Sequence, residues 1–110
     1  MNFTIKYYHP VVMAEIESWP DGILADFARK IELLMEFGPN LRMPYSRALG
    51  EGLFELRPHG REGIGRVLYC YDTGQSIVLL HAFVKKTPNI SGQELKIARK
   101  RMKEVQKCQR

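Results

Sequence analysis

The segment 53–86, LFELRPHGREGIGRVLYCYDTGQSIVLLHAFVKK, decides the fold. Its apolar runs are separated by Pro-His-Gly and Asp-Thr-Gly, which predicts three strands joined by two glycine-bearing turns. Side chains alternate between the two faces of a strand, so Glu55 and Arg57 share a face of the first strand. The second strand, about 64–71, is apolar after Arg66, which is typical of a central strand covered on both faces.

The third strand carries a row of alternating residues that begins aliphatic and ends polar and aromatic: Ile77, Leu79, His81, Phe83 and Lys85. The polar residues of all three strands are nearly all cations or histidines. We expect one face of the sheet to hold, on it or beside it, Arg57, Arg66, His81 and Lys85. Such a surface suits an anion, and RNA is the leading candidate.

A strand, two helices and a loop are predicted before this segment. Residues 2–7 alternate between polar and apolar and predict a strand with one buried face. Residues 11–18 are expected to form a short helix, and a longer one begins at Asp21 and ends at Gly38. Residues 40–52 show no clear period and are expected to form a loop around the sheet edge. The apolar stripe of the longer helix is Leu24, Phe27, Ala28, Ile31, Leu34 and Met35.

A basic helix is predicted at the end of the chain. Ser91-Gly-Gln-Glu94 fits a capping box, in which the serine and glutamate side chains bind free backbone N–H groups. A narrow apolar seam follows, formed by Leu95, Ala98, Met102 and Val105. Seven cations surround it: Lys96, Arg99, Lys100, Arg101, Lys103, Lys107 and Arg110.

Composition limits the class of protein. With 110 residues and 45% hydrophobic content, the chain is expected to form one domain, 1–110, around a single core. No apolar run approaches the roughly 20 residues of a membrane-spanning helix. The N-terminus lacks the features of a signal peptide, so a cytoplasmic location without membrane contact is expected. Two cysteines match no zinc spacing, and neither a metal nor another cofactor is expected.

Charge is distributed unevenly along the chain. Residues 1–56 contain five Lys/Arg and eight Asp/Glu, a net charge of −3, while residues 57–110 contain twelve and four, a net charge of +8. The cationic half includes the three-strand segment. Clustered charge of this kind favours a polyanion or an acidic protein as partner, because it raises the local concentration of the ligand. A solvated basic face kept for solubility is the alternative.

The motifs L-x-E-L-R at 53–57, G-R-V-L-Y at 65–69 and H-x-F-V-K-K-T at 81–87 occur in an order that resembles a known family. With E-F-G-P at 36–39 and the basic final helix, the chain is similar to RelE/HigB-type toxins of bacterial toxin–antitoxin pairs, in their phage-derived HigB-like subgroup. The resemblance covers nearly the whole chain. It implies an α+β, RelE-like domain with an N-terminal strand, a two-helix hairpin, an antiparallel three-strand meander and a C-terminal basic helix.

The resemblance also implies a function. Its members carry two helices on one face of an antiparallel sheet and an mRNA-binding cleft on the other. They typically act as endoribonucleases (mRNA interferases) that cut mRNA in the ribosomal A site, and an antitoxin neutralises them. The implied partners are therefore mRNA, the ribosome and a cognate HigA-like antitoxin.

The residues agree with cleavage of RNA without a metal ion. In that reaction the 2′-hydroxyl attacks the adjacent phosphorus, helped by a base, by cations and by an acid. The arginine fork can bind two phosphate oxygens, and Arg57 and Arg66, which match the family motifs, are assigned to the scissile phosphate. Lys85 is the candidate base, since neighbouring cations favour a neutral amine. His81 is a candidate proton carrier, with a structural role as the alternative.

Further residues are expected to touch the substrate. Lys86 follows Lys85 in the family motif, and Phe83 is expected either to stack on a nucleobase or to pack beneath the final helix. His59 is expected to overhang the cleft from its turn, and Glu55 to orient Arg57. A solvated role is the alternative for Glu55, and a surface role for His59.

The chain departs from the family pattern at one position, and two other functions are alternatives to RNA cleavage. Related sequences commonly have a further lysine after K-K-T, where this chain has Asn89, so one expected cation is missing. A gyrase-poisoning toxin of the same superfamily would use the cationic face as a protein contact. A non-catalytic RNA-binding or interaction module would retain only the fold.

Overall fold

The computed structural model describes residues 2–85 and 90–107. Its helices are α1 (Pro10–Glu17), α2 (Asp21–Phe37) and α3 (Gly92–Lys107). Its strands are β1 (Thr4–Tyr7), β2 (Ser46–Gly50), β3 (Leu53–Leu56), β4 (His59–Gly60), β5 (Gly63–Asp72) and β6 (Ser76–Lys85). Within the described ranges, no helix combines the length and the apolar character needed to cross a membrane.

The strands form one mixed sheet in the order β1-β6-β5-β3-β2, with β4 paired to β5. The predicted meander of β3, β5 and β6 is antiparallel, as expected. The expectation of a wholly antiparallel sheet is wrong, because β1 pairs with β6 in parallel. A parallel partner requires a long crossover connection, and the chain between β1 and β6 includes two helices and four strands.

Strand β2 lies where a loop was predicted. It pairs antiparallel with β3, with Arg47 opposite Glu55. The connection is tight because Gly50, Glu51 and Gly52 all have positive φ, at 98°, 55° and 87°, and glycine adopts such angles without steric cost. The loop prediction failed because an edge strand is stabilised mainly by backbone hydrogen bonds to its neighbour. Its sequence therefore need not alternate between apolar and polar residues.

Strand β6 contains a bulge that changes which residues share a face. Leu68 lies opposite His81 and Tyr69 opposite Leu79, which leaves Leu80 as an extra residue on β6. An extra residue shifts the period-two alternation by one position. The predicted continuous row from Ile77 to Lys85 is therefore wrong: its aliphatic part and its polar part lie on opposite faces.

Two apolar clusters show that helices cover both faces of the sheet. On one face, residues of α1 and α2, including Val12, Ile16, Ile23, Phe27 and Leu34, pack against Leu56, Val67, Tyr69, Ile77, Leu79 and Ala82. On the other face, Ala98 and Met102 of α3 pack against Leu53, Leu68, Cys70, Val78, Leu80 and Phe83. The expectation that this second face is an open cleft is therefore wrong in part, because α3 lies on it.

The helices follow their predicted boundaries closely, with one change of face. Gly38 ends α2 with a φ of 52°, as expected of a glycine C-cap. Ala28, placed in the apolar stripe, is exposed, whereas Ile23 and Asp26 are buried. The buried stripe is rotated from the predicted one because the turn 58–63 packs on the N-terminal half of α2, with Gly60 against Ile23.

Candidate functional site

We call the side of the sheet covered by α3 the α3 face. The alternation of β3 and β5, together with the bulge in β6, places six predicted site residues on it: Glu55, Arg57, Arg66, His81, Phe83 and Lys85. Leu56 pairs with Val67, so the register brings Arg57 beside Arg66. Arg66 lies directly opposite Phe83. The predicted proximity of the residues from the three strands is therefore confirmed.

Glu55 joins the two arginines. Its Oε2 accepts a hydrogen bond of 2.9 Å from Nη1 of Arg66, and both side chains are fully buried. Its Oε1 lies 3.4 Å from Nε of Arg57, whose side chain is 21% exposed. The carboxylate therefore forms a charge-assisted hydrogen bond with Arg66 and an ion pair with Arg57. Arg57 is thus open to a ligand, whereas Arg66 lies beneath the surface.

The burial of Arg66 does not agree with its assignment to direct contact with a scissile phosphate. An arginine with no exposed surface cannot reach a ligand in this arrangement. Burial of a charge is costly unless the charge is paired and hydrogen-bonded, and Glu55 supplies that pairing. Arg66 is therefore placed to support Glu55 and Arg57.

His81 is paired with the first turn of α3. Its Nε2 lies 2.7 Å from Oε1 of Glu94, and the two side chains are 16% and 20% exposed. The predicted capping box is confirmed in one half: the Glu94 N–H donates to Oγ of Ser91 at 3.3 Å. The Glu94 carboxylate accepts a hydrogen bond from His81, which lies 13 residues earlier in the sequence. This pair was not foreseen, because the capping-box pattern accounts for the same glutamate locally.

Phe83 and Lys85 follow His81 along β6. Phe83 is only 8% exposed and belongs to the cluster under α3, so the packing alternative agrees with the structure and base stacking does not. Its ring centroid lies 5.4 Å from that of His81, and Nζ of Lys85 lies 5.6 Å from it. A cation over an aromatic face is attracted by the ring. Lys85 is half-buried and remains reachable from outside.

Residues 86–89 lie outside the described part of the chain. The predicted substrate contact of Lys86 and the departure at Asn89 both fall there. Tyr69 and Tyr71 lie on the opposite face, among residues of the α1 and α2 core. Burial raises the pKa of Tyr69 above its usual value, so neither its position nor its acidity suits proton transfer on the α3 face.

His59 lies apart from the α3 face, in the β3–β5 connection, and is exposed. Its backbone N–H donates to Oδ2 of Asp26 at 2.6 Å. Its Nδ1 lies 3.3 Å from Nζ of Lys30. Lys30 also donates to the Arg57 carbonyl at 2.8 Å and contacts Oδ2 of Asp26 at 2.9 Å. Two residues of α2 thus hold the connection that carries Arg57 and His59.

Asp26 has a strongly acidic carboxyl group. Burial by itself would raise its pKa, but hydrogen bonds from the His59 amide, Lys30 and Arg29 outweigh burial and lower the pKa to about 2. Asp26 and Lys30 were not among the predicted site residues. A signal was available, because Ile23, Asp26, Phe27, Lys30 and Leu34 recur at three- and four-residue spacing on one helix face. Polar residues at two such positions indicate a polar contact within the core.

Two arginines of α3 bind the rest of the fold. Arg99 donates to the carbonyls of Leu49 at 3.2 Å and Gly50 at 3.4 Å. Arg101 donates to the carbonyl of Leu80 at 2.8 Å, at the bulge of β6, and its guanidinium lies 5.0 Å from the Tyr8 ring centroid. These contacts fasten α3 to the sheet. Four lysines of the helix are exposed: Lys96, Lys100, Lys103 and Lys107.

The candidate site on the α3 face consists mainly of charged side chains. Arg57 and Lys85 offer charge at the surface, and Glu55 and Arg66 hold one of them from below. Among residues 2–85 and 90–107, no group of three or more His, Cys, Asp or Glu side chains is placed to hold a metal ion. Such a surface can bind a phosphodiester and stabilise charge that develops on it.

Comparisons with known proteins identify the family. Residues 14–103 match the model of the family described as phage derived protein Gp49-like. The structure is similar to a chain of the crystal structure of the archaeal RelE-RelB complex from Pyrococcus horikoshii OT3, with a TM-score of 0.54 and 23% sequence identity. The match covers 76% of this chain and 96% of that chain. No curated protein matches the sequence.

These findings confirm the resemblance drawn from the sequence motifs, including its phage-derived character. At 23% identity the structural likeness establishes the fold. The family match covers most of the chain. The protein therefore belongs to the family of phage-derived Gp49-like proteins and has a RelE-like fold.

Proposed function

We propose that this protein is the toxin of a toxin–antitoxin pair and that it inhibits translation by cleaving mRNA without a metal ion. The observation that carries the proposal is the pair Arg57 and Arg66, joined by Glu55 on a sheet face that also holds Lys85. Family membership and the RelE-like fold support the toxin class. The ribosomal A site is the proposed place of cleavage, and the cytoplasm the proposed compartment.

Arg57 is proposed to bind the scissile phosphate. Its side chain is partly exposed and forms an ion pair with Glu55, which orients it for an anion. The 2′-oxygen attacks phosphorus, the bond to the 5′-oxygen breaks, and a 2′,3′-cyclic phosphate and a free 5′-hydroxyl result. Arg57 would stabilise the charge that develops on the non-bridging oxygens.

Lys85 and His81 are the proposed proton carriers. Lys85 is half-buried at the end of β6, and it is proposed to approach the 2′-hydroxyl. His81 would first have to give up its contact with Glu94. Lys86 is kept as a substrate contact by its match to the family motif, and His59 as an exposed contact at the edge of the site. Phe83 is not retained as a stacking residue, because it is buried.

A cognate antitoxin of HigA-like type is the proposed partner. The archaeal protein with the similar fold was crystallised as a RelE-RelB complex. The exposed lysines of α3 and the partly exposed Arg57 offer a cationic surface to an acidic segment of such a partner. Covering this surface would exclude RNA, since both ligands need the same charges.

Inducible expression in a bacterial host tests the toxin class. We expect growth to stop when the chain is expressed alone and to recover on co-expression with the neighbouring open reading frame. Normal growth of cells that accumulate the folded protein would contradict a toxin.

Primer extension on mRNA after induction tests the reaction. Cuts within translated codons are expected, and purified protein with ribosomes in a magnesium-containing buffer should give the same cuts. Arg57→Ala should abolish the cuts. Intact mRNA together with a DNA-damage response would identify a gyrase poison, and binding of RNA without cutting would identify a non-catalytic module.

A further inference from the structure

We propose that Asp26 and Lys30 of α2 are positioning residues: they fix the backbone from Arg57 to His59, and Lys30 orients the His59 ring so that the neutral imidazole carries its proton on Nε2. We call the two residues the α2 clamp. The effect of the α2 clamp on RNA cleavage rests on the proposed function, whereas the fixed backbone and the tautomer of His59 are properties of the free protein.

Lys30 directs its three protons to three different acceptors. Its Nζ lies 2.9 Å from Oδ2 of Asp26, 2.8 Å from the Arg57 carbonyl and 3.3 Å from Nδ1 of His59. An ammonium has three donors and no acceptor. The first two partners can only accept, so the third proton is directed to His59. Nδ1 must then offer its lone pair, and the proton of the neutral ring resides on Nε2.

Asp26 holds both Lys30 and the His59 backbone. The same Oδ2 accepts from the His59 N–H at 2.6 Å and contacts Lys30 at 2.9 Å. The side chains of Asp26 and Lys30 are 8% and 13% exposed. Charge-assisted hydrogen bonds are strengthened when water is largely excluded. The clamp therefore joins a buried carboxylate to the two ends of the Arg57–His59 segment.

Close packing beside the clamp restricts the segment further. A Cβ added to Gly60 would lie 2.6 Å from the backbone nitrogen of Ile23 and 2.8 Å from the carbonyl carbon of Gly22. Only glycine allows the turn to approach the helix so closely. Gly60 and Gly63 are directly paired in the short hairpin of β4 and β5. The backbone after Arg57 thus has one arrangement against α2.

The clamp sets what His59 can do. With Nδ1 occupied by Lys30, the ring offers its Nε2–H as a donor to a phosphate oxygen or a base edge at the exposed side of the connection. It does not serve as the proton acceptor for the 2′-hydroxyl. Arg57 is contacted at two places: its Nε lies 3.4 Å from Oε1 of Glu55, and its backbone carbonyl accepts a hydrogen bond from Lys30.

Nitrogen NMR of the purified full chain tests the tautomer. The His59 signals are assigned by comparison with His59→Gln. We expect Nδ1 of wild-type His59 to show the shift of an unprotonated nitrogen and Nε2 that of a protonated one. In Lys30→Met this single tautomer should be replaced by a mixture, and Lys30→Arg should restore it, because arginine also donates hydrogen bonds and cannot accept them. A wild-type ring with its proton on Nδ1 would overturn the proposal.

Cleavage of a short mRNA bound to purified ribosomes by the same variants tests positioning. Lys30→Met and Asp26→Asn should lower kcat about 10- to 100-fold with a smaller change in KM, since misplacement by about 1 Å has this effect. Arg29→Met is the matched control, because Arg29 contacts Asp26 but is 77% exposed and lies outside the clamp. A folded Lys30→Met with wild-type kcat would refute the positioning role.

The two proposals can fail separately. If the wild-type protein cuts no RNA, the proposed function fails, and the NMR spectra of wild type and Lys30→Arg still decide whether the clamp exists. If Lys30→Met does not fold, Lys30→Arg replaces it in the kinetic comparison, with retained kcat expected and a mixed tautomer contradicting the clamp.

Discussion

At the scale of single residues, Arg57 and Arg66 have different environments although they share one carboxylate. Arg57 is partly exposed, and Arg66 is fully buried in its ion pair with Glu55. Arg57→Ala should therefore abolish RNA cleavage and leave the fold intact. Arg66→Ala leaves a buried carboxylate without its partner and should lower the free energy of unfolding by roughly 3–5 kcal/mol. Urea unfolding of both variants measures the difference.

Arg61→Ala is the matched control for both arginine variants. Arg61 is exposed in the β4–β5 turn, two residues after His59. Its removal should change neither cleavage nor unfolding by a measurable amount. Equal losses of stability in Arg57→Ala and Arg66→Ala would contradict the distinction between a surface arginine and a supporting one.

Asp26 gives stability a specific dependence on pH. Its folded pKa of about 2 lies below the usual aspartate value of 3.8. Such a carboxyl group stabilises the fold above the unfolded pKa, and that contribution is lost as pH falls through the folded pKa. The unfolding free energy of wild type minus Asp26→Asn should be constant above about pH 5 and fall by about 2 kcal/mol toward pH 2.

Chemical denaturation at a series of pH values measures this difference. Glu32→Gln, at an exposed position of the same helix, is the control and should stay close to wild type throughout. A difference between wild type and Asp26→Asn that is the same at pH 3 and pH 7 would show that the hydrogen bonds to Asp26 do not stabilise its ionised form.

At the scale of elements, α3 is held on the sheet by polar contacts at its first turn and its centre. Glu94 binds His81, and Arg101 binds the carbonyl that the β6 bulge exposes. Glu94→Ala removes a partly buried, charge-assisted hydrogen bond. It should lower the free energy of local opening of α3 by about 1–2 kcal/mol.

Hydrogen exchange of the α3 amides measures this opening. Gln93→Ala, one residue away and exposed, is the control and should leave protection unchanged. Exchange should rise over the first turns of α3 in Glu94→Ala while the α2 amides stay protected. Unchanged α3 protection in Glu94→Ala would mean that the apolar seam alone secures the helix.

At the scale of the whole molecule, only some of the cationic side chains in the second half of the sequence present their charge at the surface. Glu55 contacts Arg57 and Arg66, and Glu94 contacts His81. Arg99 and Arg101 bind backbone carbonyls. The net charge of +5 remains. RNA binding should therefore depend on salt through a small number of phosphate contacts.

The salt dependence of binding to single-stranded RNA gives that number. With about three phosphate contacts, affinity should fall roughly 20-fold between about 50 and 200 mM salt. The double variant Arg57→Ala/Lys85→Ala should reduce the slope of log affinity against log salt by the amount expected for about two phosphate contacts. Arg61→Ala should not change this slope. An affinity independent of salt would exclude a phosphate-binding surface.

The sequence by itself determined the amphipathic helices, the three central strands and the cationic residues between them, because period and turn chemistry are local properties of a chain. It also placed Glu55 and Arg57 on one face and brought Arg66 beside them, since side-chain alternation and antiparallel pairing suffice for that.

Only the tertiary structure decided which of these residues are open to a ligand. The bulge at Leu80, the burial of Arg66 and Phe83, the pair of His81 with Glu94 and the α2 clamp all depend on contacts between residues distant in sequence. Such contacts are set by packing against other elements, which no local pattern specifies. The cationic strand segment therefore predicted a cluster of charged residues on one face of the sheet, and the packing of α2 and α3 determines which of them are exposed.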